Sequence, residues 1–313
     1  MVIPPAALLL MAVSLLIDTD PGAFTDDNAA IAMLARSPER VRIAGVTTVS
    51  GNTWSAFGSA SARKTLALLG LDVPVHTGAP KPLRHTAAMS RREGKLEFAG
   101  AFALPKPKAE RTTAVDFLIE SLERQPATVL AIGPLTNLAL ALRKRPAIAS
   151  RIEKLVIMGG NVRVKGNVTP AAEFNFWFDP EAADEVLRAP IAHRVLFALD
   201  VCNKVVVTRE DFDRVVAADT PVTRLYRESF GNEYPGFLKD ASAKTYLWDE
   251  LAAAYLIDPG LFETGERMRL RVETKFGEKY GAVVEDPGGT ATEVVLGVDA
   301  GRAKELYREL LRR

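Results

Sequence analysis

Four aspartates fall within ten residues near the start of the chain, in Asp18-Thr19-Asp20-Pro21-Gly22-Ala23-Phe24-Thr25-Asp26-Asp27, and no Lys or Arg precedes Arg36. Carboxylates crowded into a dry crevice repel one another unless a cation neutralises them. No nearby side chain supplies one, so a divalent ion is the economical solution. All-oxygen donors without His or Cys select a hard ion, Ca2+ or Mg2+, over zinc. Asp26 and Asp27 also suit a solvated helix N-terminus, where acids favour the macrodipole. That reading leaves Asp18 and Asp20, at the end of a strand, unexplained.

Further polar groups follow other apolar runs. Val46-Thr47-Thr48-Val49-Ser50-Gly51-Asn52 ends in an amide. In Ile132-Gly133-Pro134-Leu135-Thr136-Asn137, either Thr136 or Asn137 suits a helix N-cap, and a backbone carbonyl there is a possible ion ligand. Met158-Gly159-Gly160 lets a ligand approach the backbone closely. Asn167, Glu173 and Asn175 form a set better matched to a polyhydroxyl ligand than to a phosphate, which calls for Arg or Lys. Trp248-Asp249-Glu250 opens an alanine-rich helix running to Leu256; a plain N-terminal acid and a packing Trp are the simplest readings there.

The elements that must hold these groups alternate. Apolar, β-branched runs at 13–18, 41–48, 128–132, 154–158 and 194–199 predict buried strands, and 27–36, 54–69, 113–124, 136–145 and 180–188 predict helices. Gly70 falls at a C-cap position, and Asp179-Pro180 reads as an N-cap followed by proline at the first helical position. Such alternation predicts an α/β fold, a mainly parallel central sheet flanked by helices, with ligands outside the carboxyl ends of the strands. Residues 81–112 and 208–242 break the rhythm and read as long loops, the latter around a helix, of the kind used for lids or oligomer contacts.

With 40 basic and 39 acidic residues among 313, the net charge is +1, which argues against nucleic-acid polymers as partners. A single cysteine, Cys202, permits no internal disulfide and sits among valines as a core residue; three histidines without zinc-helix spacing exclude a His-rich metal site. Residues 6–17 form an apolar run too short to span a bilayer. We therefore expect residues 1–12 to be an apolar extension, 13–313 a single catalytic domain, and the protein to be cytoplasmic, with export through the N-terminal segment as the minority alternative.

Taken together and in order, DTDPGAFTDD, TTVSGN, AIGPLTNLA, MGGN and GNVTPAAEFNFWFDPEAA resemble the inosine–uridine nucleoside hydrolase (N-ribohydrolase) family along nearly the whole chain. The resemblance implies a nucleoside hydrolase-like fold with a Rossmann-like core and hydrolysis of ribonucleosides to base and ribose. By similarity, Asp20 ligates Ca2+ and takes a proton from the attacking water. Asp27 and Asp249 are further carboxylate ligands, and the backbone carbonyl of Thr136 completes the set. Asp26, Asn52, Asn167, Glu173 and Asn175 grip the ribose hydroxyls, with Met158 beneath the sugar. Many members carry His-Asp where this chain has Trp248-Asp249, and that His is linked to protonation of the leaving base. Purine-preferring members stack the base on tryptophan at this place, so a purine lean is expected here. The usual His-Gly segment is replaced by residues 84–102, and the first loop is two residues longer than the commonest form. A homodimer or homotetramer is expected. Two alternatives stand beside this: a non-catalytic ribose- or nucleoside-binding protein, and a haloacid-dehalogenase-type phosphatase using the DxD pair. Gly22, where the latter wants Thr or Val, weighs against it.

Overall fold

The structure is a computed structural model and describes residues 12–92, 111–233 and 235–313. In chain order the elements are β1 (Val13–Thr19), α1 (Asp26–Ala35), β2 (Val41–Thr48), α2 (Ser55–Leu68), β3 (Val75–Thr77), α3 (Ala87–Arg92), α4 (Ala114–Arg124), β4 (Ala127–Ala131), α5 (Thr136–Lys144), β5 (Ile152–Met158), α6 (Phe174–Phe178), α7 (Pro180–Arg188), β6 (Arg194–Phe197) and α8 (Leu199–Cys202). There follow β7 (Val206–Thr208), α9 (Arg209–Val216), α10 (Pro221–Glu233), α11 (Pro235–Lys239), β8 (Lys244–Tyr246), α12 (Asp249–Ile257), β9 (Glu266–Val272), β10 (Val283–Glu285), β11 (Thr290–Val294) and α13 (Ala300–Arg312). Residues 1–11, most of the expected N-terminal extension, and 93–110, within the first long break, lie outside the described residues.

The nine-stranded sheet runs β10-β9-β11-β6-β5-β4-β1-β2-β3. Every pairing from β3 to β11 is parallel; only β9 runs against β11 and β10. The strand order therefore turns back at β1, which lies between β2 and β4. There Asp18 pairs in register with Thr47 on one side and Ala131 on the other. In open α/β sheets such a reversal opens the ligand crevice beyond the carboxyl ends of the strands, and the DTD motif ends β1 at that point.

Side chains of β1 alternate between two cores, as the period of a strand requires. Leu15 and Ile17 join a core with α1 and α12, while Leu16 faces α4, α5 and α7. Helix α1 is buried from Asp27 to Leu34 and packs against α12, itself largely buried. Both are Ala-rich, which lets two buried helices lie close together, and each opens with two acids. The N-cap reading of Asp179 is met: its side chain accepts from the Ala182 amide, with Pro180 following. Gly70 adopts φ +71° just after α2, a C-terminal position that suits glycine.

Two expectations are corrected. The strand expected over 194–199 ends at Phe197, and Leu199 already begins α8. The described residues of the stretch 208–242 are mostly helical, and four of its aromatics are core. Phe212, Tyr226, Phe230 and Phe237 are buried against one another, with Phe212 5.1 Å from both Tyr226 and Phe230 and Phe24 of the first loop 5.5 Å from Tyr226. Cys202 is buried, as expected, and burial raises its thiol well above the ordinary range. No helix among the described residues is long and apolar enough to cross a membrane.

Candidate active site

Asp20 leaves β1 and turns its carboxylate into the crevice. Its Oδ2 accepts the Asn52 amide at 2.6 Å, while its buried Oδ1 meets no hydrogen-bond donor. Glycines make the room. A Cβ on Gly51 would lie 2.1 Å from Oδ2, and one on Gly133 2.6 Å from Oδ1. Asp27 binds back to the same loop, its Oδ1 accepting the Thr19 hydroxyl and, at 3.1 Å, the Asp20 amide. The Asn52 side chain donates to Asp27 Oδ2 at 3.4 Å.

The N-termini of α1 and α12 converge here. Asp26, Asp27 and Asp249 each offer a carboxylate oxygen, and these oxygens lie within 4.8 Å of one another, a grouping that could hold a metal ion. Burial, followed by the Asp26 charge, pushes Asp27 up to about 8. Burial and then Asp27 hold Asp20 well above the usual carboxylate range; burial, Asp26 and Asp27 do the same to Asp249. Glu250, buried beside Asp249, is raised by burial and Asp26. Its Oε2 accepts the Trp248 amide at 3.2 Å. Among the described residues no Lys or Arg pairs with any of these acids. Helix dipoles offset part of their repulsion, but a set of five carboxyls needs more positive charge than two helix ends supply.

On the opposite wall, Glu173 caps the short helix α6. Its carboxylate accepts the amides of Gly160 (2.7 Å), Asn175 (2.8 Å) and Phe176 (3.1 Å). Burial raises its pKa, and these three donors work against that shift. Asn175 donates to the carbonyls of Met158 (3.2 Å) and Ile132 (3.3 Å), so the ends of β4 and β5 are tied through one amide. Met158 is buried at the end of β5. Asn167 stands apart as an exposed residue whose Oδ1 accepts the Phe174 amide at 3.0 Å. Trp248 is half-buried with its indole N–H unpartnered, and lines a pocket with Asp26, Tyr226, Glu250 and Tyr307. There the Tyr226 and Tyr307 hydroxyls meet at 2.8 Å.

Neither Thr136 nor Asn137 caps α5; the N-cap position is Leu135, without a side-chain bond. The Thr136 hydroxyl donates to Asp179 at 2.6 Å, and Asn137 reaches to Asp18 at 2.8 Å. As the first residue of an α-helix, Thr136 directs its carbonyl at the amide four residues on. The carbonyl that leaves β4 toward Asn175 is that of Ile132, one residue before the Gly133 packed on Asp20. Sequence reasoning assigned no role to Glu250, although its place in the first turn of α12, directly after Asp249, is the signal that marks it.

Acids thus converge where the order of a parallel sheet reverses, beside a wall of amides and a carboxylate. The chain belongs to the family described as inosine-uridine preferring nucleoside hydrolases, which it matches over residues 15–305, and is thereby an N-glycosidic bond hydrolase. It is similar to the pyrimidine-specific ribonucleoside hydrolase RihA of Escherichia coli O1:K1 / APEC, with 37% identity over 284 residues covering 88% of this chain and 89% of the relative. Among solved structures it resembles an inosine-guanosine nucleoside hydrolase (TM-score 0.80, 26% identity, 96% of this chain and 98% of the other). It also resembles the purine-preferring ribonucleoside hydrolase of Gardnerella vaginalis (TM-score 0.76, 26% identity, 96% and 98%).

Proposed function

We propose that the protein is a calcium-dependent ribonucleoside hydrolase that releases free base and ribose and leans toward purines. One observation carries the reading: Asp20, Asp26, Asp27 and Asp249 share a crevice, and no cationic side chain pairs with them among the described residues. An all-oxygen set of this kind fits Ca2+. Asp20, Asp27 and Asp249 would hold the ion, with the backbone carbonyl of Thr136 completing the protein's share. Bound there, Ca2+ supplies an acidified, positioned water.

Asp20 takes the water's proton at Oδ1, the oxygen left without a donor. Asp26, Asn52, Asn167, Glu173 and Asn175 bind the ribose hydroxyls, with Met158 beneath the ring. Cleavage develops positive charge on the sugar, and a wall of carboxylates stabilises it. Trp248 offers an indole face to the base, which favours a purine that is already protonated and so leaves as a neutral base. The second reading, a pyrimidine preference, draws support from the 37% identity to an enzyme named pyrimidine-specific.

Purified protein incubated in parallel with inosine, uridine and a phosphate monoester separates the possible classes. Free ribose and base are expected from a nucleoside. Nucleoside binding without ribose release would leave a binding protein, and phosphate release would revive the phosphatase reading.

A further inference from the structure

We infer that Asn137 is a positioning residue for Asp20, acting through the loop that follows β3. The inference rests on the reading above, in which Asp20 takes the proton of the attacking water.

Asn137 is fully buried, second in α5, and spends its amide on three groups from three segments. Its Nδ2 donates to Asp18 Oδ1 at 2.8 Å and to the Thr48 carbonyl at 3.0 Å; its Oδ1 accepts the Ala79 amide at 2.8 Å. The fit is close. A Cβ on Gly78 would lie 2.3 Å from Asn137 Oδ1 and 2.4 Å from the Thr48 carbonyl, so the backbone at 78–79 lies directly on the amide.

The connection continues toward the site. The Ala79 carbonyl accepts the Ser50 amide at 3.0 Å, and two residues later the Asn52 amide holds Asp20 Oδ2 at 2.6 Å. On its other side Asn137 grips Asp18, two residues before Asp20 on the same strand. One side chain thus braces both the strand that carries Asp20 and the loop that fixes its carboxylate.

Thr136 repeats the device at the far end of the same loop. Its hydroxyl donates to Asp179 Oδ2 (2.6 Å), which also accepts the Leu83 amide (2.9 Å). Consecutive residues of α5 therefore pin Ala79 and Leu83. A helix-capping role would need neither contact. A buried polar network of this kind specifies geometry, and losing one member leaves others unpaired.

Displacing a reacting group by about an ångström costs on the order of 100-fold in rate. Asn137→Ala is therefore expected to lower kcat on ribonucleoside by about 100-fold while KM stays within about threefold. Arg194→Met serves as the control. Arg194 sits at the opposite, amino end of β6, bonded to the Ala189 carbonyl at 2.6 Å and to Thr292 at 3.3 Å, so its loss should lower Tm and leave kcat unchanged. Asn137→Asp faces Asp18 with a second carboxylate and should also be slow; adding Asp18→Asn restores a donor–acceptor pair, and kcat should recover about tenfold. This pair decides the matter if Asn137→Ala does not fold. An active wild type with Asn137→Ala of normal kcat and lowered Tm, or a folded Asp18→Asn/Asn137→Asp pair without recovery, overturns the inference alone. An inactive wild type overturns the function on which it rests.

Discussion

Asp20 presents two unequal oxygens: Oδ2 lies 2.6 Å from the Asn52 amide, and Oδ1, beside Gly133, has no donor. One oxygen is fixed and the other is left for chemistry. The backbone of two loops sets this orientation, so the carboxylate reaches the site already aligned. Burial and the neighbouring Asp27 favour its protonated form, which a bound cation would reverse.

Asp20→Asn keeps the shape and the Asn52 contact but removes the base. General-base contributions run to about 10²–10⁴-fold, and with a metal ligand weakened too, kcat should fall by at least about 1,000-fold. Thermal melting should show an intact fold. Steady-state ribose release checks the point, and activity above a tenth of wild type would refute the role of Asp20.

The acids also predict how stability responds to pH. Asp27 is raised to about 8, and Asp18, buried between Thr47 and Asn137, to about 6. A carboxyl raised on folding holds a proton that the unfolded chain releases near pH 4. Its stabilising contribution is complete below that pH and is lost as pH rises through the folded value. Metal-free protein should therefore gain stability as pH falls from 8 to 6, at up to about 1.4 kcal/mol per pH unit for one such group. Melting in chelator should show Tm rising by several degrees over that interval, and Ca2+ should flatten the trend by holding the carboxylates ionised. A metal-free Tm that falls on acidification from 8 to 6 would contradict the assignment.

Trp248 should separate purines from pyrimidines. If its indole stacks on the base, Trp248→Ala will reduce kcat/KM for inosine by about tenfold, the scale of a cation–π contact, and will change that for uridine less. Measuring both nucleosides on both proteins tests this. Equal efficiency of the wild type on inosine and uridine would remove the purine lean.

The central sheet was readable because its strands are buried on both faces and therefore appear as apolar runs. β3, with three residues, offers no pattern to read. β9 is different: Glu266-Arg267-Met268-Arg269-Leu270-Arg271-Val272 alternates charged and apolar residues, and Met268, Leu270 and Val272 are the buried ones. That period-2 alternation is a strand signal carried by the sequence itself. In the site, the acids of β1 and α1 were legible as an excess of charge without a counterpart. Thr136 and Asn137 were not, since local spacing makes them caps, whereas their partners Asp179, Asp18 and Ala79 come from 43 to 119 residues away. Long-range hydrogen bonds of that kind leave no periodic trace.

The proposed dependence on Ca2+ follows from a cluster of carboxylates with which no Lys or Arg pairs among the described residues. Its most direct test is ribose release from inosine by protein stripped of metal with a chelator, then dialysed and titrated with Ca2+. We predict loss of activity on stripping and recovery on adding Ca2+, saturating near one ion per chain. Full activity in the stripped protein, or no recovery with Ca2+, would contradict it.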